Sequence, residues 1–213
     1  LIYTDFLQLL IRVKKIEKAQ KLVLNEIKNN PAKVVLYLDL ENIQWLLNNI
    51  EEAQKTRQKY ILLASKNDQL VYEFQNRFYV EGKFKELVEF LVEVQNNQNI
   101  PHKFGIQLAR AYLFNGEKNK MLIELLNWGL INGNIDYIRN NISDNFKTDD
   151  EIKLLEKTLF GLIQQKPNEV FYNEMLIWFY TNQKDFKKAF LYSKAMDKRL
   201  KLNGQNLLSV RAL

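Results

Sequence analysis

Few side chains in this sequence could do covalent or metal chemistry. Its single histidine, His102, directly follows Pro101, and cysteine is absent. A lone imidazole with no acid or nucleophile at motif spacing reads as a surface or capping residue. The absence of cysteine removes thiol catalysis, disulfides and thiolate metal sites, and leaves the redox compartment open. No glycine loop cradles phosphate, and no His/Asp/Glu spacing would hold a metal. The pair Asp149-Asp150 falls at a helix start, where the dipole accounts for it. The expectation is therefore no catalysis, no cofactor and no metal. What remains is recognition. The carboxamides of Asn42 and Asn76 can each donate to and accept from a peptide backbone. Trp45, Tyr72 and Tyr79 offer anchoring area, and Asp39, Glu73 and Arg110 offer charge.

These residues recur in a frame of 34 residues. Three columns are apolar in all six copies: Ile2, Leu36, Leu70, Phe104, Ile138 and Tyr172; then Phe6, Leu40, Phe74, Leu108, Ile142 and Leu176; then Ala19, Ala53, Leu87, Met121, Leu155 and Ala189. One such column arises by chance about once in a hundred at this composition. Two more columns are apolar in five copies, with Gln44 and Lys118 as their exceptions. Within each copy the apolar spacing is helical in both halves, and a short polar break such as Glu81-Gly82-Lys83 separates them. Pro31 and Pro167 each follow a second half, where proline stops a helix, and Thr148 with Glu151 spells a capping box. The sequence thus predicts an all-α chain of six antiparallel helix pairs. Their spans are about 1–33, 34–67, 68–101, 102–135, 136–169 and 170–203, in one domain over 1–213. Residues 204–213 read as the opening of a seventh pair, carried by Leu207, Leu208 and Val210.

The composition, 46% hydrophobic and 26% charged, is that of an ordinary globular chain, and no apolar run is long enough to span a bilayer. A first residue that is not methionine reads as an excised segment of a longer protein. The expected compartment is periplasmic or cytoplasmic, with a lean to the periplasm.

The columns resemble those of the tetratricopeptide repeat along essentially the whole chain. The fourth copy is the best match in the first helix, with Leu108, Ala109, Tyr112 and then Gly116, and the sixth offers Leu176, Tyr180, Phe186 and Ala189. Departures fall at the position wanting a small residue, which holds Leu7, Glu41, Gln75 and Ile177 in four copies. As a whole the chain is similar to long bacterial proteins of this kind. The resemblance implies a right-handed α-solenoid in which first helices line a concave groove that takes an extended peptide or partner helix.

On that frame the groove is expected to present Asp39, Asn42, Trp45, Tyr72, Glu73, Asn76, Tyr79 and Arg110, with binding across the second to fourth repeats. The acidic set Asp5, Asp39 and Glu73 also fits a solvated face, and Trp45 and Tyr79 also fit packing against the neighbouring repeat. The subset of the family that clamps a C-terminal carboxylate is disfavoured, because its lysine position holds Thr4, Leu38, Tyr72, Ile106, Asn140 and Glu174. RNA-reading repeats have a period one residue longer. The net charge of +6 falls on second helices and loops, while groove positions carry slightly more acid than base. The expected partner is accordingly a protein or peptide, not nucleic acid, without membrane insertion. The expected function is a non-enzymatic interaction scaffold. A structural spacer or oligomerisation segment of a larger multidomain protein is the first alternative, and an RNA-binding helical repeat the second.

Overall fold

The computed structural model describes residues 2–201. The expected seventh pair lies outside the described residues. Within them the chain is all-α, with twelve helices and no strand. They fall into two compact units that divide between Phe104 and Gly105. The first holds α1 (Ile2–Arg12), α2 (Ile16–Asn29), α3 (Leu36–Leu46), α4 (Ile50–Ala64), α5 (Asp68–Glu81) and α6 (Phe84–Gln98). The second holds α7 (Gly105–Phe114), α8 (Lys118–Asn132), α9 (Ile135–Asn145), α10 (Asp149–Gln165), α11 (Val170–Asn182) and α12 (Phe186–Leu200). Consecutive helices pack from α1 through α6, from α7 through α9 and from α10 through α12, and second helices also meet one another, α4 on α6 and α8 on α10. Each unit is thus a stack of three helix pairs, the α-solenoid arrangement.

The turn inside each pair explains the constant frame. Lys14, Asn48, Gly82, Gly116 and Lys184 all have positive φ, between 57° and 78°, and occupy one column of the repeat. After each, an N–H reaches back to close the helix: Lys15 to the Leu10 carbonyl, Asn49 to Gln44, Lys83 to Phe78, Glu117 to Tyr112 and Asp185 to Tyr180, at 2.8–3.0 Å. This is the Schellman closure, in which one left-handed residue reverses the chain. Only two of the five residues are glycine, so glycine alone did not reveal the shared turn. At the other three the side chain costs about 1 kcal/mol.

The fifth repeat departs, and its departure explains a second one. Its residue in that column, Asp150, lies inside α10, which starts early behind the expected capping box of Thr148 and Glu151. Glu151 accepts from the backbone N–H groups of Lys147 and Thr148 and also takes the ammonium of Lys118. Lys118 is the one non-apolar member of its column, and it donates to the Asn145 carbonyl as well, at 3.0 Å. The Lys118 bond, followed by the two backbone donors, holds the Glu151 carboxyl down to about 2.

The core follows the three wholly apolar columns with two corrections, Leu70 being half-buried, while in the column broken by Lys118 both Ile50 and Phe186 are exposed. Ala19, Ala53, Leu87, Met121, Leu155 and Ala189 are all buried, as are Leu40, Phe74, Leu108, Ile142 and Leu176. Ile2 and Phe6, read as core members, are 87% and 48% exposed. In α3 and α11 the helix carrying those columns packs on the second helix of the preceding repeat, and among the described residues no such helix lies against α1. Gln44, the polar exception, is itself buried, and its Oε1 has no hydrogen-bond partner. In the first unit the core centres on stacked rings, with Phe74 4.9 Å from Tyr60 and 5.1 Å from Phe90. In the second unit the buried cluster runs from Leu122 and Leu125 through Ile138 and Leu159 to Tyr172 and Met175.

Candidate functional site

Two adjoining clefts in the first unit form the candidate site. One, about 590 Å³, runs across the first helices: Thr4, Leu7, Gln8 and Ile11 from α1, Leu38, Asp39 and Asn42 from α3, and Arg77, Val80 and Glu81 from α5. The other, about 490 Å³, is lined by Glu41, Asn42 and Trp45 on α3, Gln54 and Arg57 on α4, and Lys85, Glu86 and Glu89 on α6. Leu38, Asn42, Glu81 and Lys83 line both, so the clefts join around Asn42.

Their walls are set by two polar networks that reach from one repeat to the next. Asp39 is only 6% exposed. It accepts from the Tyr3 hydroxyl at 3.0 Å and from Arg77 Nη2 at 2.6 Å. Arg77 also bonds Glu81, which pairs with Lys83 at 2.8 Å. The chain of contacts therefore ties α1, α3 and α5 side by side. Burial raises the Asp39 carboxyl above its ordinary value despite the Arg77 guanidinium. Burial and the Asp39 charge push the Tyr3 hydroxyl up in turn.

The second network answers Glu41, which occupies the position where the repeat wants a small residue. Glu41 is buried and accepts from the Tyr60 hydroxyl at 2.8 Å and from the Trp45 indole at 3.4 Å. Arg57 lies 3.7 Å from Glu41 and also meets Glu89 at 3.4 Å and Glu93 at 3.0 Å. The helix α4 therefore accommodates an acid at this position with a phenol and a guanidinium.

The residues singled out from sequence separate into three groups. Asn42 is exposed at the junction of the clefts, and Trp45 is 47% exposed in the second, with Asp39 beneath the first. Tyr72, Glu73, Asn76 and Tyr79 lie along α5 and line neither cleft. Tyr72 is 41% exposed and packs edge-on against Phe104, while Tyr79 packs edge-on against Phe84 at 5.7 Å. Arg110 is exposed on α7 in the second unit. Asp39 is thus not a member of a solvated acidic face, although Asp5 is exposed. Gln8 and Thr4 join the site from α1, and Arg57, Arg77 and Lys83 join it as cations. The signal for the networks was present as opposite charges about one repeat apart, as in Asp39 with Arg77, Arg57 with Glu93 and Lys103 with Asp68.

Among the described residues no group of three His, Cys, Asp or Glu side chains could hold a metal, and no helix is long and apolar enough to cross a membrane. His102 has positive φ in the turn before α7 and is half-buried.

No family model matches the chain, and no curated protein matches it. Among solved structures, residues 41 to the end of MamA from Desulfovibrio magneticus RS-1 overlap it at 12% identity and a TM-score of 0.30, with 96% of each chain covered. An RS-1 MamA "ArsTM" double mutant overlaps it at the same identity and TM-score, over 96% of this chain and 95% of that one. An overlap of that size carries neither fold nor function, and both rest on the geometry above.

Proposed function

We propose that this chain is a non-catalytic, tetratricopeptide-like interaction scaffold that receives a protein segment in the joined clefts of its first unit. The observation that carries the reading is Asn42, an exposed carboxamide at the junction of two clefts, one with an apolar floor and the other edged by Trp45. A carboxamide that both donates and accepts suits a peptide backbone running past it, and the indole supplies an anchor for one of its side chains. Leu7, Ile11 and Leu38 give apolar area, and Asp39, Arg77, Glu81 and Lys83 are paired among themselves, so the floor is close to neutral. Tyr72, Glu73, Asn76 and Tyr79 extend the proposed contact surface along α5, Arg110 is proposed as a partner contact of the second unit by itself, and all six repeats belong to one domain in this reading.

Selection from a displayed peptide library, followed by titration of the best binder, tests it. The double variant Asn42→Ala, Trp45→Ala should bind at least about tenfold more weakly, at unchanged stability. Adding Asn76→Ala should weaken it further. Equal binding by a folded double variant would sink the reading.

One observation favours the spacer reading beside it. Ile2, Phe6, Leu9 and Val13 form an exposed stripe along α1 and the turn after it, available to another helix. If the stripe mates, Phe6→Glu should halve the mass of the particle measured by light scattering. A wild type that stays monomeric at high concentration removes that reading.

A further inference from the structure

Six glycines lie among the described residues, and five have a visible structural reason. Gly82, Gly116 and Gly133 have positive φ, and a Cβ at Gly105 or Gly129 would strike Trp128 or Ile138. Gly161 has neither excuse. It lies inside α10 with helical neighbours on both sides, and a Cβ there would meet nothing within 4 Å. The equivalent positions of the other repeats hold Asn25, Lys59, Glu93, Asn127 and Ala195. A mid-helix glycine weakens a helix and gains nothing in packing, so its value must lie in the space it leaves.

That space is a notch of about 230 Å³ between α8 and α10 in the second unit. Ile123, Leu154 and Leu162 give it an apolar floor, and Asn119 stands across from Thr158, whose hydroxyl lies 3.1 Å from the Asn119 carboxamide oxygen. The only charged group lining it is Lys157, exposed and in no ion pair among the described residues, and no carboxylate faces in.

We infer that this notch is a second docking site, which takes one large apolar side chain of a protein segment carrying a carboxylate within a turn of that anchor. The volume admits a single such side chain, and the floor rewards its burial. The unpaired ammonium at the rim selects acid and disfavours base. This site lies on second helices of the other unit and does not depend on the groove reading above.

The test uses the whole chain and a helical peptide of glutamate and alanine with one central phenylalanine, titrated by amide NMR. Binding should shift the amides of Ile123, Lys157 and Gly161, and replacing the phenylalanine by alanine should weaken it about tenfold. Gly161→Leu fills the notch and should abolish binding. Gly161→Ala should weaken it while raising the melting temperature by about 2–4 °C, which separates loss of the site from loss of the fold. Lys157→Glu should weaken it about three- to fivefold. Equal binding of the phenylalanine and alanine peptides overturns the proposal, as does full binding by Gly161→Leu or tighter binding of a lysine-for-glutamate peptide. Self-association of the wild type lost in Gly161→Leu would give the notch to a second copy and equally overturn it.

Discussion

Phe74→Ala should lower stability by about 3–5 kcal/mol in urea unfolding, the range for a buried phenylalanine whose site cannot collapse. Phe74 has no exposed surface. It lies on α5 between Tyr60 of α4 and Phe90 of α6, with ring centroids at 4.9 and 5.1 Å, and Phe90 in turn packs on Phe78 at 5.7 Å. Three helices from two repeats therefore share one ring stack, and the void left by alanine has rigid rings on both sides. Phe74→Leu keeps most of the volume and should lose about 1.5 kcal/mol or less. Phe6→Ala in the same repeat column should change stability by no more than about 0.5 kcal/mol, because half of Phe6 is already in water. A loss below 1 kcal/mol for Phe74→Ala would mean that the repeat interface repacks freely and that the rings do not set the stacking.

The contrast between Phe74 and Phe6 shows what periodicity can and cannot read. A column states which face of a helix is apolar. It does not state whether another helix is present to cover that face, and for Ile2 and Phe6 none is among the described residues. The helix pairs, their lengths and their frame were legible because hydrophobic spacing and a conserved turn length repeat without insertion. The turn itself was half legible: Gly82 and Gly116 announced positive φ, whereas Lys14, Asn48 and Lys184 adopt it without the residue that signals it. In five repeats that conformation goes with position in the frame and not with residue type, and in the fifth repeat Asp150 lies inside α10 instead.

The candidate site was legible only in part, for a different reason. Asn42 and Trp45 lie on a first helix outside the wholly apolar columns, and both line clefts. Asp39 lies outside those columns too, and pattern alone assigns such an acid to water. Its burial depends on Arg77, which is more than one repeat away, and on Tyr3, which precedes it by about as much. The exceptions Glu41 and Lys118 behave alike. Each breaks a column, and each is answered by charged or hydroxyl groups from elsewhere in its unit: Tyr60 and Arg57 for the first, Glu151 for the second. Gly161 belongs to the same class, a residue whose meaning appears only once its neighbours are known to leave it alone.

Arg77→Met should cost about 3–5 kcal/mol at neutral pH, because it leaves the Asp39 carboxylate buried with only the Tyr3 hydroxyl for company. The reverse change, Asp39→Ala, should cost less, about 2–3 kcal/mol, since Glu81 still holds the guanidinium. The double variant Asp39→Leu, Arg77→Met removes both charges and should return to within about 1 kcal/mol of wild type, as buried ion pairs replaced by apolar residues commonly do. Acidity gives a second readout. Burial already raises the Asp39 carboxyl above its ordinary value, against the lowering effect of Arg77. An acid raised on folding binds its proton more tightly in the native state, so its contribution is present below the unfolded value and is lost as pH rises through the native one. Removing Arg77 removes the chief group that lowers it, so that window widens upward. The loss in Arg77→Met should therefore shrink as the pH is brought down from 7 into the carboxylate range, and the double variant should show no such recovery. A pH-independent loss in Arg77→Met would place the cost in packing of the arginine stem and not in the charge of Asp39. Because this pair fixes how α1, α3 and α5 lie beside one another, the same variant should also loosen peptide binding in the groove.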